Sequence, residues 1–345
     1  MERSAVLGAR IRELRLARGL TQAQLAERSG VSRQLVGAVE TGRHLPRVDA
    51  AVALARVLDA SVEALLAADP TGVVGVLGAA GNGQLVRISR VGDQLVCVPA
   101  RPVGESWPAA DGIVRDGEVE LLDGEPGAGA TAVVAGCDPA IGLVERLVEA
   151  EAGPGVLTAS ASSAAAVTAL AAGRTHAAVV HGPAGRLPDP PIPVRRWQVA
   201  RWQVGLAASL ELPFGWVAAA LAGERPVVQR EAGAGSQAAF ERALHAAGHT
   251  TAVDGPHASG HLEAARWAHR DGVVAVSIEP AALAVGLAFH PLEEHVSELW
   301  VASQHLDVVS VRRFTDELFS SERLHRRLTA IGGYDLTDCG TEIAA

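Results

Sequence analysis

Four short stretches of this 345-residue chain gather small polar residues of the kind that hold a ligand. They are Gly136-Cys137-Asp138, the turn carrying Ser160, Ser162 and Ser163, the run EAGAGSQ (231–237) after Arg230, and Ala258-Ser259-Gly260-His261. Each exposes backbone N–H groups, several add a hydroxyl, and each precedes a helical stretch. Donors at the positive end of a helix, without side-chain bulk, suit an anion or a small polar ligand. Any one of them also serves as an ordinary N-cap, but their recurrence after successive strands points to a pocket.

Other chemistries find weaker support. His245/His249 and His257/His261 are each four apart, the spacing that sets two zinc ligands on one helix face. Gly248, Gly255 and Pro256 interrupt those windows, and no HExxH accompanies them, so solvated histidines are the plainer reading. A Ser-His-Asp triad lacks its GxSxG elbow, and AGAGSQ lacks the lysine of a phosphate-binding P-loop. Cys97, Cys137 and Cys339 are odd in number and far apart, which fits neither a disulfide framework nor a cysteine zinc site and suits a reducing cytosol. No metal, cofactor or catalytic set is expected, and a metal-dependent enzyme is the least favoured alternative.

The elements that must carry these groups alternate. From Ala132 onward short apolar strands (133–136, 156–159, 177–182, 227–230, 273–277) are followed by helical stretches near 141–149, 164–172, 237–246 and 280–286. That rhythm implies parallel sheets covered by helices, with ligands bound beyond the carboxyl ends of the strands. Residues 71–130 differ: 84–90 and 94–98 flank Val91-Gly92-Asp93 as a β-hairpin, 119–122 is a further strand, and 124–129 is linker-like. Neither hairpin face is cleanly apolar. The segment is a small β module or an extension of the next domain.

The first seventy residues are helical. An apolar stripe (Val6, Ile11, Leu14, Leu16) ends at Gly19; Thr21 with Gln24 forms a capping box for a short helix that stops at Ser29-Gly30. Ser32 caps the next helix, to about Glu40, and Gly42 closes it; two further helices span 49–58 and 62–66.

Charge separates the two ends. The chain carries −9 overall, yet residues 1–69 hold ten Arg against eight acidic residues, leaving the remaining 276 at −11. Only the first segment suits phosphates. All 30 basic residues are Arg, which with the abundant Ala and Gly reflects coding bias. Hydrophobic residues make up 48% and aromatics 3%, so the cores are aliphatic. The charged N-terminus is no signal peptide, and no run of about 18 apolar residues spans a membrane. A cytoplasmic location follows as an expectation.

Two resemblances extend this reading. TQAQLAERSGVSRQLVGAVETG (21–42) resembles the helix-turn-helix of the phage-repressor (XRE-like) regulators over about 60 residues. The resemblance implies that the second helix of the motif enters the major groove of a double-stranded DNA operator. Arg33 and Gln34 would then read bases, with Ser32 beside them; Arg suits guanine O6/N7 and Gln suits adenine N6/N7. Gln22 and Arg43 would hold phosphates. Such heads pair across half-sites about 34 Å apart, which implies a homodimer. The alternative is a five-helix protein-interaction bundle whose Arg33 and Gln34 merely face solvent.

AGCDPAIGLVERLV, the serine-rich turn, His181 after its strand, QREAGAGSQAAFERAL, SGHLEAA and GGYDLTDCGTE together resemble the periplasmic-binding-protein-like domain related to molybdate-binding proteins, over about 210 residues. The implied fold is multidomain: an all-α helix-turn-helix domain (1–69), a linker or small β segment (70–130), and a two-lobed α/β domain (131–345). Lobe one would be 131–200 plus 297–345 and lobe two 201–296, with crossovers at 196–204 and 298–306. The implied ligand-binding residues are Asp138, Ser160, Ser162, Ser163, His181, Arg230, Gly235, Ser236, Ser259 and His261. This chain has Gln237 where the family commonly has Arg, and Val273 near an expected Asp, while Arg230 is placed to neutralise an anion. The ligand could be an oxyanion or an organic acid, sensed to control DNA binding. In the alternative, the large domain only dimerises or binds a protein partner.

Overall fold

The computed structural model describes residues 20–58, 72–78, 80–101, 106–122, 131–231, 233–249 and 253–343, together with residues 7, 8, 11, 12, 14, 15 and 18. It divides into two compact units, residues 1–72 and 73–345.

In the first unit three helices are fully described: α1 (Gln22–Ser29), α2 (Arg33–Glu40) and α3 (Val48–Val57). The Thr21 hydroxyl accepts from Gln24 N while the Gln24 side chain accepts from Thr21 N, so the capping box forms in both directions. Gly30 adopts φ 68°, a left-handed turn that glycine takes without strain, and Ser32 caps α2 by accepting from Leu35 N. Leu7, Ile11, Leu25, Val36, Val39 and Leu54 are buried together. Arg15 grips Glu40 through Nε at 2.6 Å and Nη2 at 3.1 Å, fixing the end of α2. The described residues of the expected first helix are helical except Arg18, which lies in a turn; the expected helix at 62–66 and the linker-like stretch 124–129 lie outside the described residues.

The second unit opens with a five-stranded sheet. Its strands are β1 (Val74–Gly75), β2 (Leu85–Val91), β3 (Gln94–Pro99), β4 (Gly112–Arg115) and β5 (Glu118–Leu121), in the order β1-β3-β2-β4-β5. The mixed faces of the hairpin have a simple cause, since both are covered. Val86, Ile88 and Cys97 join the sheet's own core with Val114 and Val119. Val91, Val96 and Val98 pack instead against Val133, Leu157 and other residues of the large sheet.

The α/β part then runs β6 (Ala132–Gly136), α4 (Ala140–Glu149), β7 (Val156–Ser160), α5 (Ser163–Ala171), β8 (Ala177–Pro183), β9 (Val194–Ala208), α6 (Trp216–Leu221) and β10 (Val227–Arg230). It continues through α7 (Gly235–Ala246), β11 (His257–Ala258), α8 (His261–Asp271), β12 (Val274–Ile278), α9 (Glu279–Leu283), β13 (Ala288–Ala302), α10 (Val309–Ser320), α11 (Glu322–Ile331) and β14 (Glu342–Ile343). The sheet order is β11-β10-β12-β9-β13-β8-β6-β7, with β14 also on β9.

Two lobes follow from this order. β6, β7 and β8 are mutually parallel on one side, and β10, β11 and β12 are parallel on the other. The 15-residue strands β9 and β13 run antiparallel to each other through both lobes and join them. The second crossover therefore starts and ends earlier than the sequence suggested, because residues 303–305 turn away as a 3-10 helix.

Candidate functional site

The exposed start of α2 presents Arg33 and Gln34 to solvent, and Arg43 is exposed just beyond its end. Ser32 is engaged as the cap. Gln22 is not free: its Nε2 donates to Glu40 at 2.8 Å, which ties α1 to α2. A phosphate at the start of α1 would meet backbone N–H groups rather than this side chain.

In the second unit the expected pocket residues converge from both lobes. A Cβ on Gly235, the first residue of α7, would lie 3.4 Å from the His181 carbonyl and 3.5 Å from the rings of His181 and His295. One on Gly233 would lie 3.9 Å from Ala164, and one on Gly260 would lie 3.6 Å from the Ser160 hydroxyl. The Arg230–Ser236 loop thus faces the serine-rich turn, and the start of α8 faces the end of β7. Asp138, Ser160, Ser259 and His261 line a cavity of about 760 Å³. Ser162, Ser163, His181, Arg230, Gly235 and Ser236 are not among its lining residues. Of these, Ser162 caps α5 through Ala165 N, and the Ser163 hydroxyl bridges the His181 backbone N–H and carbonyl at 2.9 and 3.2 Å. The Ser259 hydroxyl and backbone N–H both donate to Glu263, at 2.6 and 2.7 Å.

Arg230 differs from its expected role. It is fully buried and its guanidinium donates to Glu231, to the Ala258 and Ser259 carbonyls, and to His261 Nδ1 at 2.8 Å. Its charge is neutralised inside lobe two, by partners that the local sequence did not show apart from Glu231. Gln237, buried beside it, accepts from Arg230 N at 3.0 Å.

That contact fixes a tautomer. Arginine has no acceptor, so His261 Nδ1 must accept, and the neutral ring carries its proton on Nε2. Burial, then the Arg230 charge, keeps His261 well below its usual pKa and therefore neutral. Its Nε2–H is buried with no acceptor. His181 and His295 share a 2.8 Å Nδ1–Nδ1 contact, and burial takes His181 down to about 3. Glu293 lies 3.5 Å from His295 Nε2, which favours the proton there and so makes His181 Nδ1 the donor.

Sequence reasoning missed several neighbours. Trp202 lies 5.6 Å from the His181 ring, and His295 lies opposite Trp202 in the β9–β13 register, as Ser297 lies opposite Ala200. Trp202 Nε1, Ser236 Oγ and Ser297 Oγ are buried and unpartnered among the described residues. Tyr334 donates to Asp138 Oδ1 at 2.9 Å, as does Ala140 N, while Asp138 Oδ2 is buried and unpartnered. Burial raises the Asp138 pKa to about 6, against the lowering pull of those two hydrogen bonds.

Cys137 Sγ and ring nitrogens of His181 and His261 lie within 4.8 Å of one another, a spacing compatible with a metal ion. The chemistry argues against a cation there. Burial raises Cys137 to about 12, so it is a thiol; His261 Nε2 bears a proton; and Arg230 adds a fixed positive charge.

A fold of two α/β lobes joined by paired crossover strands, with helix starts converging between them, defines a binding-protein architecture, and the comparisons agree. The chain belongs to the PBP superfamily domain family, whose model matches residues 144–318, half of the chain. A helix-turn-helix domain model matches residues 6–68. An HTH-type transcriptional regulator of Archaeoglobus fulgidus is 40% identical over 60 residues, 17% of this chain and 86% of that protein. The restriction-modification controller protein C.AhdI of Aeromonas hydrophila is 40% identical over 18% of this chain and 94% of its own, with TM-score 0.18. A protein described as a phosphate ABC transporter substrate-binding protein, from Clostridium perfringens with bound phosphate, covers 59% of this chain and 98% of its own at 10% identity and TM-score 0.46. This chain is a DNA-binding regulator with a PBP-like domain.

Proposed function

We propose that the chain is a ligand-responsive transcriptional regulator, which reads a double-stranded operator as a cytoplasmic homodimer and senses a small anionic ligand between the lobes of its second unit. The observation that carries the ligand reading is the set of buried, unpartnered donors contributed by both lobes: His261 Nε2–H, Ser236 Oγ, Trp202 Nε1 and Ser297 Oγ. Each unpartnered group costs about 1–3 kcal/mol, so four weigh heavily against the 5–15 kcal/mol by which a domain is stable. Such a cost is tolerated where a polar ligand is to be bound, and a set dominated by donors suits an anion. A purely dimerising domain has no use for it.

The DNA reading rests on the exposed Arg33 and Gln34 at the start of a well-capped α2. Binding to an operator selected from random duplexes tests it. Arg33→Ala should cost about 1–3 kcal/mol and relax preference at one base position, while Arg43→Ala should weaken all sequences alike. Equal loss on operator and random DNA from Arg33→Ala would remove the base-reading role.

A further inference from the structure

The 760 Å³ cavity says what kind of anion fits, given the ligand-sensing reading on which this step rests. An inorganic oxyanion occupies the space of about two or three waters at roughly 30 Å³ each and would leave most of the cavity unfilled. Pockets of about 300–1,000 Å³ take organic molecules. Asp138 and His261 lie on the wall, each about 1% exposed, and offer one unpartnered acceptor, Oδ2, and one unpartnered donor, Nε2–H. An ionised Asp138 facing the cavity repels a bare oxyanion but receives a hydroxyl, amine or amide N–H. Other parts of the wall are apolar, formed by Val98 and Pro99 of the small sheet, Ile141 and Leu157 of lobe one, and Pro280 and Ala281 of lobe two.

Exposed charged residues also line it. Arg87 is held by Glu145 and Glu149. Arg101 at the end of β3, Arg146 on α4 and Arg266 on α8 are exposed, line the same cavity and make no ion pair among the described residues. Glu263, the remaining lining carboxylate, accepts from Ser259 at the start of α8. The three arginines come from the small sheet and from both lobes, so a charged group bridging them would draw all three parts together.

We propose that the ligand is an organic anion of metabolite size, with an apolar body, a hydrogen-bond donor that meets Asp138 and a carboxylate, sulfonate or phosphate that meets Arg101, Arg146 and Arg266. The small sheet is then a wall of the sensor rather than a linker.

8-Anilinonaphthalene-1-sulfonate has this character, with an aromatic body, an N–H and a sulfonate, and its fluorescence reports binding by the full chain. Saturable binding at one site is expected. Arg146→Gln/Arg266→Gln, both exposed positions, should weaken it roughly tenfold, the effect of losing one charge-assisted contact. Ala281→Trp should abolish it by filling the cavity, with circular dichroism confirming the fold; if that variant does not fold, the arginine pair decides. Millimolar phosphate, sulfate or molybdate should leave the binding unchanged. Absence of saturable binding, indifference to the arginine substitutions, or displacement by micromolar molybdate or phosphate would each overturn the assignment. Binding as described but with operator affinity unchanged would instead count against the ligand-sensing reading, leaving the site itself intact.

Discussion

Replacing Arg230 by Met keeps the volume and removes the charge, and its consequence is calculable from the bonds around it. The guanidinium is fully buried and serves Glu231, two backbone carbonyls and His261 Nδ1. Breaking a buried ion pair by removing one partner costs about 3–5 kcal/mol. The Glu231 side chain is 33% exposed and regains some hydration, which reduces that figure. The carbonyls of Ala258 and Ser259 then lack a donor, at about 1 kcal/mol or more each. A net loss of about 3 kcal/mol is the expectation. Urea unfolding of the second unit, followed by tryptophan fluorescence, measures it. With a slope of about 3 kcal/mol per molar for a unit this large, the midpoint should fall by roughly 1 M. A change below about 1 kcal/mol, combined with loss of ligand response, would refute the reasoning. It would return Arg230 to the role that its position after β10 first suggested, an anion contact.

Two further perturbations test the physics of each unit. Gly37 sits inside α2, where an added Cβ would approach only the Gln22 side chain, at 3.9 Å, so Gly37→Ala should raise the stability of the first unit by up to about 1 kcal/mol in thermal melting; a loss would show that α2 is packed more tightly there. His181, taken from 6.5 to about 3 by burial, must be neutral in the fold, whereas the unfolded chain protonates it first as pH falls. Its contribution is complete above pH 6.5 and declines below it, by about 2 kcal/mol at pH 5. Asp138, raised to about 6, acts in the opposite direction below that pH, so the diagnostic is the difference between wild type and His181→Gln. The variant should lose about 2 kcal/mol of acid sensitivity between pH 6.5 and 5 in urea titrations, and an unchanged slope would contradict the assignment.

Local rules made the first unit readable. Thr21 with Gln24, Gly30 and Ser32 each act within four residues of themselves, and each does in the structure what its type and spacing imply. The strand–helix alternation from Ala132 was legible for the same reason, as short apolar runs bounded by glycine and serine. What escaped depends on register. His295, Ser297 and Trp202 meet only because β13 pairs with β9 across nearly a hundred residues, and nothing near them in sequence marks that pairing. Arg230 looked like a free cation because Ala258, Ser259 and His261 are about thirty residues away. The hairpin at 85–99 defied an inside–outside reading because both of its faces are packed.

The central claim is that occupancy of the second unit changes how the first grips DNA. A ligand does this only through different affinities for two conformations, and a hinge between two lobes supplies such a pair. The direct measurement is operator affinity of the full chain by fluorescence anisotropy, at fixed salt, with and without the organic anion that most raises the melting temperature of the second unit. The account predicts a change of about 5–150-fold, the usual range of allosteric coupling. Identical binding curves at saturating ligand would contradict it.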